Sequence, residues 1–80
     1  MKAKAFILIE TAVGRAREVA TALQHLPGIK SVDTVTGPYD VIAIAEAETL
    51  NDIGDLVTDK IHPISGISRT VTCLAIGAPK

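Results

Sequence analysis

The chain has 80 residues, 48% of them hydrophobic and only 2% aromatic, with eight basic and nine acidic side chains that leave a net charge of −1. This length predicts a single domain over residues 1–80, and the scattered, nearly balanced charges argue against direct contact with nucleic acid. One cysteine excludes an internal disulfide, and the longest apolar run is far shorter than the ~20 residues of a membrane span; we therefore expect a cytoplasmic protein that uses no membrane contact, metal or cofactor.

The first half of the chain predicts a strand, a helix and a second strand. Ala3–Glu10 contains five consecutive apolar residues, which is typical of a strand buried on both faces. Gly14–Leu26 has apolar residues at helical spacing and ends before Pro27-Gly28. Ile29–Thr36 alternates less regularly, with a one-residue slip typical of a bulge, and predicts a more exposed edge strand.

The second half repeats this pattern after a turn. Gly37–Asp40 is a turn sequence that joins two strands into a hairpin, and Val41–Ala45 is again apolar on both faces. A second helix begins after Thr49, a good N-cap residue, and stops at Pro63. Ile67–Ile76 predicts the last strand.

The elements follow the order β-α-β-β-α-β, and the two halves resemble each other. His25–Ile29, after the first helix, is echoed by His62–Ile67 after the second. Two β-α-β halves of this length predict an α+β, ferredoxin-like fold. Right-handed crossovers place strands 1 and 3 in the centre of a four-stranded antiparallel sheet, in the order 4-1-3-2, with both helices on one face. Strands 1 and 3 are also the two that are apolar on both faces.

This architecture leaves one face of the sheet without a covering layer. Phe6 and Leu8 alternate with Ile7 and Ile9 along the first strand, so one of these pairs must lie on the open face. A large exposed apolar patch is rare on a monomer and usually marks an interface. We therefore expect the open face to be buried against a second copy of the chain, as a homodimer.

Most of the chemically versatile side chains have an ordinary structural interpretation. His25 and His62 each close a predicted helix, where a cation interacts favourably with the helix dipole. No ligand constellation accompanies them, so neither a metal site nor a catalytic residue is predicted. Cys73 lies within an apolar strand, and we expect it to be a buried, small hydrophobic residue.

The turn Gly37-Pro38-Tyr39-Asp40 differs from the other turns because it contains the lone tyrosine beside a carboxylate. Gly, Pro and Asp suit a turn in any case. A tyrosine ring and an acidic acceptor together could also bind a small ligand that carries an ammonium group. The residues alone leave both interpretations open.

A longer pattern around this turn resembles a known family. The pattern consists of Leu26-Pro27-Gly28-Ile29, Val32, the run Val35-Thr36-Gly37-Pro38-Tyr39-Asp40, and then Gly66-Ile67, Thr70 and Thr72. It closely resembles the C-terminal ligand-sensing domain, or RAM domain, of the Lrp/AsnC transcription regulators. The resemblance covers nearly the whole chain, from about Lys4 to Ile76.

The resemblance implies a function as well as a fold. Members of this family pair sheet to sheet as dimers, assemble further into rings such as octamers or decamers, and bind amino-acid effectors between dimers. By this likeness the ligand-binding residues would be Gly37, Pro38, Tyr39 and Asp40, with polar contacts from Thr70 and Thr72. Members usually carry an N-terminal helix-turn-helix domain, whereas this chain begins at the first sensing strand. We therefore expect a stand-alone sensor that modulates transcription regulators, including full-length paralogues, without touching nucleic acid.

Two other classes share the ferredoxin-like fold. The ACT domain is also an amino-acid-binding regulatory module, but Thr11-Ala12-Val13-Gly14 stands where its usual Asp-x-Pro-Gly sequence opens the first helix. Small dimeric enzymes of this fold need a polar pocket between helices and sheet. The predicted interior here is aliphatic, and no enzymatic activity is expected.

Overall fold

The structure, a computed structural model, describes residues 2–77 as one four-stranded sheet with helices on one face. The helical layer ends in a π-helix, the wider variant of the α-helix, which continues α2 without a break. In chain order the elements are β1 (Ala3–Thr11), α1 (Ala16–Gln24), β2 (Ile29–Thr34), β3 (Val41–Ala47), α2 (Leu50–Asp55), the π-helix (Leu56–Ile61) and β4 (Ile67–Leu74).

The sheet has the order β2-β3-β1-β4, which is the expected order 4-1-3-2 counted from the other edge. All neighbouring strands are antiparallel, and β1 and β3 occupy the centre, so the predicted ferredoxin-like fold is confirmed. The register of β2 against β3 shifts between Ile29 and Ser31, where the sequence predicts a bulge. No helix within residues 2–77 is long and apolar enough to cross a membrane.

The core lies between the helices and one face of the two central strands. Every second residue of these strands is buried there, because side chains alternate between the faces of a sheet. Ile7 and Ile9 on β1 pack with Val19 and Leu23 of α1 and with Ile61 at the end of the π-helix. On β3 the buried residues Ala43 and Ala45 are small, which allows this close approach of helix and sheet.

The opposite face of the sheet is the open face, which no element within residues 2–77 covers. Phe6 of β1 lies between Ile44 of β3 and Cys73 of β4, and Leu8 lies between Ile42 and Val71. These six residues form a continuous apolar surface across three strands. The expectation that Cys73 is buried is wrong for the single chain, where it is exposed; its apolar neighbours belong to the open face rather than to the core.

The second helix begins as predicted and ends differently. The Thr49 side chain accepts a hydrogen bond from the backbone N–H of Asp52 at 3.1 Å, which confirms the N-cap. From Leu56 onward the chain is a π-helix, and the N–H of His62 donates to the carbonyl of Val57 at 2.8 Å. Apolar residues spaced by four lie on one face of both helix types, so the sequence pattern does not distinguish them.

Three other elements are shorter than the sequence predicts. The first helix begins at Ala16 rather than Gly14, because Gly14 has φ = +78°, outside the helical region. β2 ends at Thr34, and Val35 instead closes the following turn by donating its N–H to the carbonyl of Asp40 at 2.9 Å. β4 ends at Leu74, two residues before the expected end.

Candidate functional site

The turn between β2 and β3 is tied to the end of β1 by Asp40. The Asp40 N–H donates to the carbonyl of Ile9 at 2.9 Å, and its carboxylate Oδ2 accepts from the N–H of Thr11 at 2.8 Å. The side chain is half-buried. Asp40 therefore has a structural task, since it supplies an acceptor to a backbone donor at the point where β1 ends.

Tyr39 lies beside a charged pair at the same end of the sheet. Arg69 of β4 forms an ion pair with Glu10 of β1 at 3.1 Å and donates to the Tyr39 hydroxyl at 3.5 Å. Glu10 and Arg69 are direct cross-strand partners in the register of these two strands. The half-buried phenol of the turn, the Glu10 carboxylate of β1 and the Arg69 guanidinium of β4 thus form one polar cluster.

The two threonines lie on the other side of the sheet from this charged pair. Thr70 and Thr72 pair with Ile9 and Ile7, whose side chains face the helices. The Thr70 hydroxyl is 3.2 Å from Nε2 of His62. The structure therefore brings the four turn residues together, but it does not bring the threonines to them within one chain.

A shallow groove runs between α2, the π-helix and β4 on the helix-covered face. Its volume is about 270 Å³. The residues that line this groove, called the α2–β4 groove below, are Leu50, Ile53, Gly54, Val57, Thr58, Thr72 and Leu74. Thr72 thus borders an apolar recess rather than the polar turn.

Glu10 and Arg69 are not among the site residues predicted from the sequence. The two lie 59 positions apart in the chain, and only the β1–β4 register makes them neighbours. In the part of the chain that the structure describes, no three histidine, cysteine or acidic side chains are grouped as metal ligands would be. The chemistry available at the turn is hydrogen bonding and charge recognition.

Comparison with known proteins identifies the family. The model of the Lrp/AsnC ligand-binding domain matches residues 4–80. The chain belongs to the Lrp/AsnC family. This match decides between the two regulatory families that the sequence suggests, in favour of Lrp/AsnC over ACT, and the domain is of the regulatory type.

The relatives include regulators and one enzyme. An uncharacterized helix-turn-helix-type transcriptional regulator of Pyrococcus horikoshii is 36% identical over 74% of this chain and 39% of its own length. A Pyrococcus abyssi regulator of the same description is 30% identical over 80% of this chain and 43% of its length. The chain thus spans less than half of these curated relatives. Homocitrate synthase of Sulfurisphaera tokodaii is 31% identical over 72% of this chain, which corresponds to 12% of that enzyme.

Solved structures with the same fold include chains of similar length. A protein from Thermus thermophilus has a TM-score of 0.93 and 35% identity, and the match covers 98% of both chains. Escherichia coli AsnC has a TM-score of 0.91 at 19% identity, with 53% of its chain covered, and shows the shared fold. A Neisseria meningitidis regulator in complex with L-methionine has a TM-score of 0.86 at 22% identity over 98% of this chain and 52% of its own.

Proposed function

We propose that this chain is an amino-acid-sensing regulatory module that acts by changing its state of assembly and performs no catalysis. Two copies would pair through the open face of the sheet. An amino-acid effector would bind at the turn Gly37–Asp40, where dimers meet. The observation that carries the proposal is the position of this polar turn at the end of a bare aliphatic sheet face, in a chain of the Lrp/AsnC family.

The open face supports the dimer. Its six apolar residues lie in cross-strand register over β3, β1 and β4, and a contiguous patch of this kind on a small protein usually marks an interface. A symmetric pair would bury the same patch on both copies. A chain of 80 residues also hides a smaller fraction of its surface than a larger domain does, so dimer formation would add stability.

The turn supports the effector site. Within the described residues, hydrogen bonds engage only one Asp40 carboxylate oxygen; the other would accept a bond from an ammonium group. The Tyr39 ring and hydroxyl would border the ligand, and the backbone N–H of Gly37 would donate to its carboxylate. Thr70 and Thr72 lie away from this turn in their own chain, so we propose that a neighbouring dimer contributes them.

The proposed mechanism is a shift of population. A ligand whose pocket is complete only in the assembly binds that state more tightly than the separate dimers, and so favours it. Octamers and decamers are the candidate assemblies. A change of assembly in the cytoplasm would be passed on to full-length regulators that share the same sheet face. A similar segment also occurs in a protein named as an enzyme, homocitrate synthase, rather than as a transcription regulator.

The test combines a ligand screen with a mass measurement. Each standard amino acid, beginning with methionine, is added to the purified protein, and the unfolding temperature and the mass in solution are recorded. We expect at least one amino acid to raise both. A monomeric mass at micromolar concentration would refute the dimer, and the absence of any stabilising amino acid would refute the effector site.

Asp40→Asn tests the position of the site for the amino acid found in the screen. Asparagine retains an acceptor for Thr11 but removes the charge. We therefore expect the binding free energy measured by calorimetry to weaken by about 1.5–3 kcal/mol, which lowers the affinity roughly 10- to 150-fold. The matched control is Asp33→Asn, which neutralises an exposed carboxylate on β2. Unchanged affinity in Asp40→Asn would remove Asp40 from the site.

A further inference from the structure

Apart from the open face and Ile76, which lines a recess together with Phe6 of that face, large exposed apolar side chains of the described residues occur at two places. Val13, in the loop between β1 and α1, is fully exposed. Leu50 and Leu74, at the rim of the α2–β4 groove, are 58% and 44% exposed. The first is a single protruding side chain, whereas the second is an apolar recess of about 270 Å³.

These two places lie at opposite ends of the sheet. Val13 follows the last residue of β1, which is Thr11. Leu74 pairs with Ala5 near the beginning of β1, and Leu50 follows β3, whose last residue pairs with Ala3. Because the strands are antiparallel, the loop and the groove of one chain cannot meet each other. They could meet only between different copies.

The net charges beside the two places are opposite in sign, although Lys60 is exposed next to the groove and Glu18, paired with Arg15, lies next to the loop. Asp55 and Asp59 are exposed, and each directly follows a residue that lines the groove, Gly54 or Thr58. Next to the Val13 loop, Arg17 is exposed on the first turn of α1. An apolar recess with two carboxylates beside one wall, its acidic rim, is complementary to an apolar side chain with a neighbouring guanidinium.

We propose that the α2–β4 groove of one copy receives Val13 of a second copy, with Arg17 of that copy against Asp55 and Asp59. The proposal rests on the dimer of the proposed function. Each dimer would carry two loops and two grooves. A contact between two different surfaces joins dimers head to tail, and the dimers form a ring when the rotation from one dimer to the next adds up to a full circle. The occupant of the groove is thus another copy of this same chain.

The same contact would complete the effector pocket. The Val13 loop and the Gly37–Asp40 turn lie at one end of the molecule, because Thr11 donates its N–H to the Asp40 carboxylate. The groove is lined in part by Thr72. Docking of the loop of one copy in the groove of another would bring the turn of the first close to this threonine of the second.

A charge exchange tests the pairing directly. Arg17→Asp and Asp55→Arg are prepared singly and together, and the mass of each protein is measured by native mass spectrometry and light scattering, with the amino acid identified by the screen present. We expect each single variant to lose every species larger than the dimer, and the double variant to regain them. Lys30→Asp, a charge reversal at an exposed residue of β2, is the matched control and should retain the wild-type assembly.

A second variant pair tests the apolar half of the contact. Val13→Asp places a carboxylate where the groove and its acidic rim would repel it, and should remove species above the dimer; Val13→Ile should retain them. Retention of large assemblies in both Arg17→Asp and Val13→Asp would overturn the inference, as would failure of the double charge variant to recover. A wild-type protein that stops at the dimer also overturns it while leaving the sheet interface intact, whereas a monomer refutes the proposed function itself.

Discussion

At the scale of single residues, Asp40 joins two parts of the backbone, and this role can be separated from ligand binding. Asp40→Ala leaves the Thr11 N–H without its acceptor, which costs about 1–3 kcal/mol for a donor removed from water. We expect this loss in urea unfolding at a fixed protein concentration. Asp40→Asn should retain most of the stability because its amide oxygen can accept the same bond; equal losses in the two variants would contradict this role.

Gly66 is held in a conformation that other residues rarely adopt, and its surroundings leave little space. Its φ is +99°, and a Cβ there would lie 3.1 Å from Cβ of Arg15 and 3.3 Å from Cγ2 of Val19. Gly14 also has a positive φ, of +78°, but a Cβ there would meet nothing within 4 Å. Substitutions at Gly14 and Gly66 therefore distinguish the cost of backbone strain alone from the cost of strain combined with steric overlap.

We predict that Gly66→Ala destabilises the protein by about 2–4 kcal/mol, from strain and overpacking together. Gly14→Ala should cost about 1–2 kcal/mol from strain alone. Thermal or urea unfolding of both variants measures the difference. Equal losses would mean that the neighbours of Gly66 move away without cost.

The sequence predicts the structural role of a residue well only where that role depends on residues a few positions away in the chain. The Gly37–Asp40 turn and the Thr49 cap follow from residue chemistry within a few positions, and the structure has both. The Glu10–Arg69 pair and the exposure of Cys73 depend on the β1–β4 register and on which face the helices cover. Composition and spacing carry no direct information about either.

At the scale of elements, the N-cap of α2 gives a measurable prediction. The Thr49 hydroxyl accepts the N–H of Asp52, so Thr49→Ala should cost about 1 kcal/mol of stability. The control is Thr21→Ala, an exposed threonine within α1. A loss at Thr21 as large as that at Thr49 would show that the cap contributes nothing specific.

The internal repeat that the sequence suggests has a physical counterpart. Gly28 and Gly66, at equivalent positions after the two helical segments, have φ values of +92° and +99° and immediately precede β2 and β4. Each half of the chain thus turns from helix to strand in the same way. Strand order was predictable because right-handed crossovers place strands 1 and 3 in the centre, in agreement with their continuous apolar runs. The π-helix was not predictable, since a spacing of four fits both helix types.

At the scale of the whole molecule, the chain buries one face of its sheet and leaves the other to be covered. The helix-facing residues away from the outer ends of β1 and β3 are fully buried, while Phe6 on the open face is 37% exposed. Helix-facing and open-face residues alternate along the same strands. The helix-facing residues would therefore stabilise the fold of one chain, and the open-face residues between them would stabilise the pairing of two chains.

The last prediction separates these two uses of the sheet. Ile44→Lys places a charge in the middle of the open face, opposite Phe6, without changing any residue of the helix-facing core. Each copy loses the burial of an isoleucine, about 1.5–3 kcal/mol, and a symmetric pair loses it twice. This corresponds to a dissociation constant of the dimer that is larger by roughly two to four orders of magnitude. We expect a folded monomer by circular dichroism and light scattering, whereas Gln24→Lys on the exposed side of α1 should remain dimeric.

Cys73 supplies an independent readout of the same change. It is exposed in the single chain and lies opposite Phe6 on the open face, so pairing of two sheets would cover its thiol. Its reaction with an aromatic disulfide reagent should be slow in the wild-type protein and fast in Ile44→Lys. Equal rates and equal masses in the two proteins would show that the open face is not the interface, because a lysine at its centre would then have changed nothing.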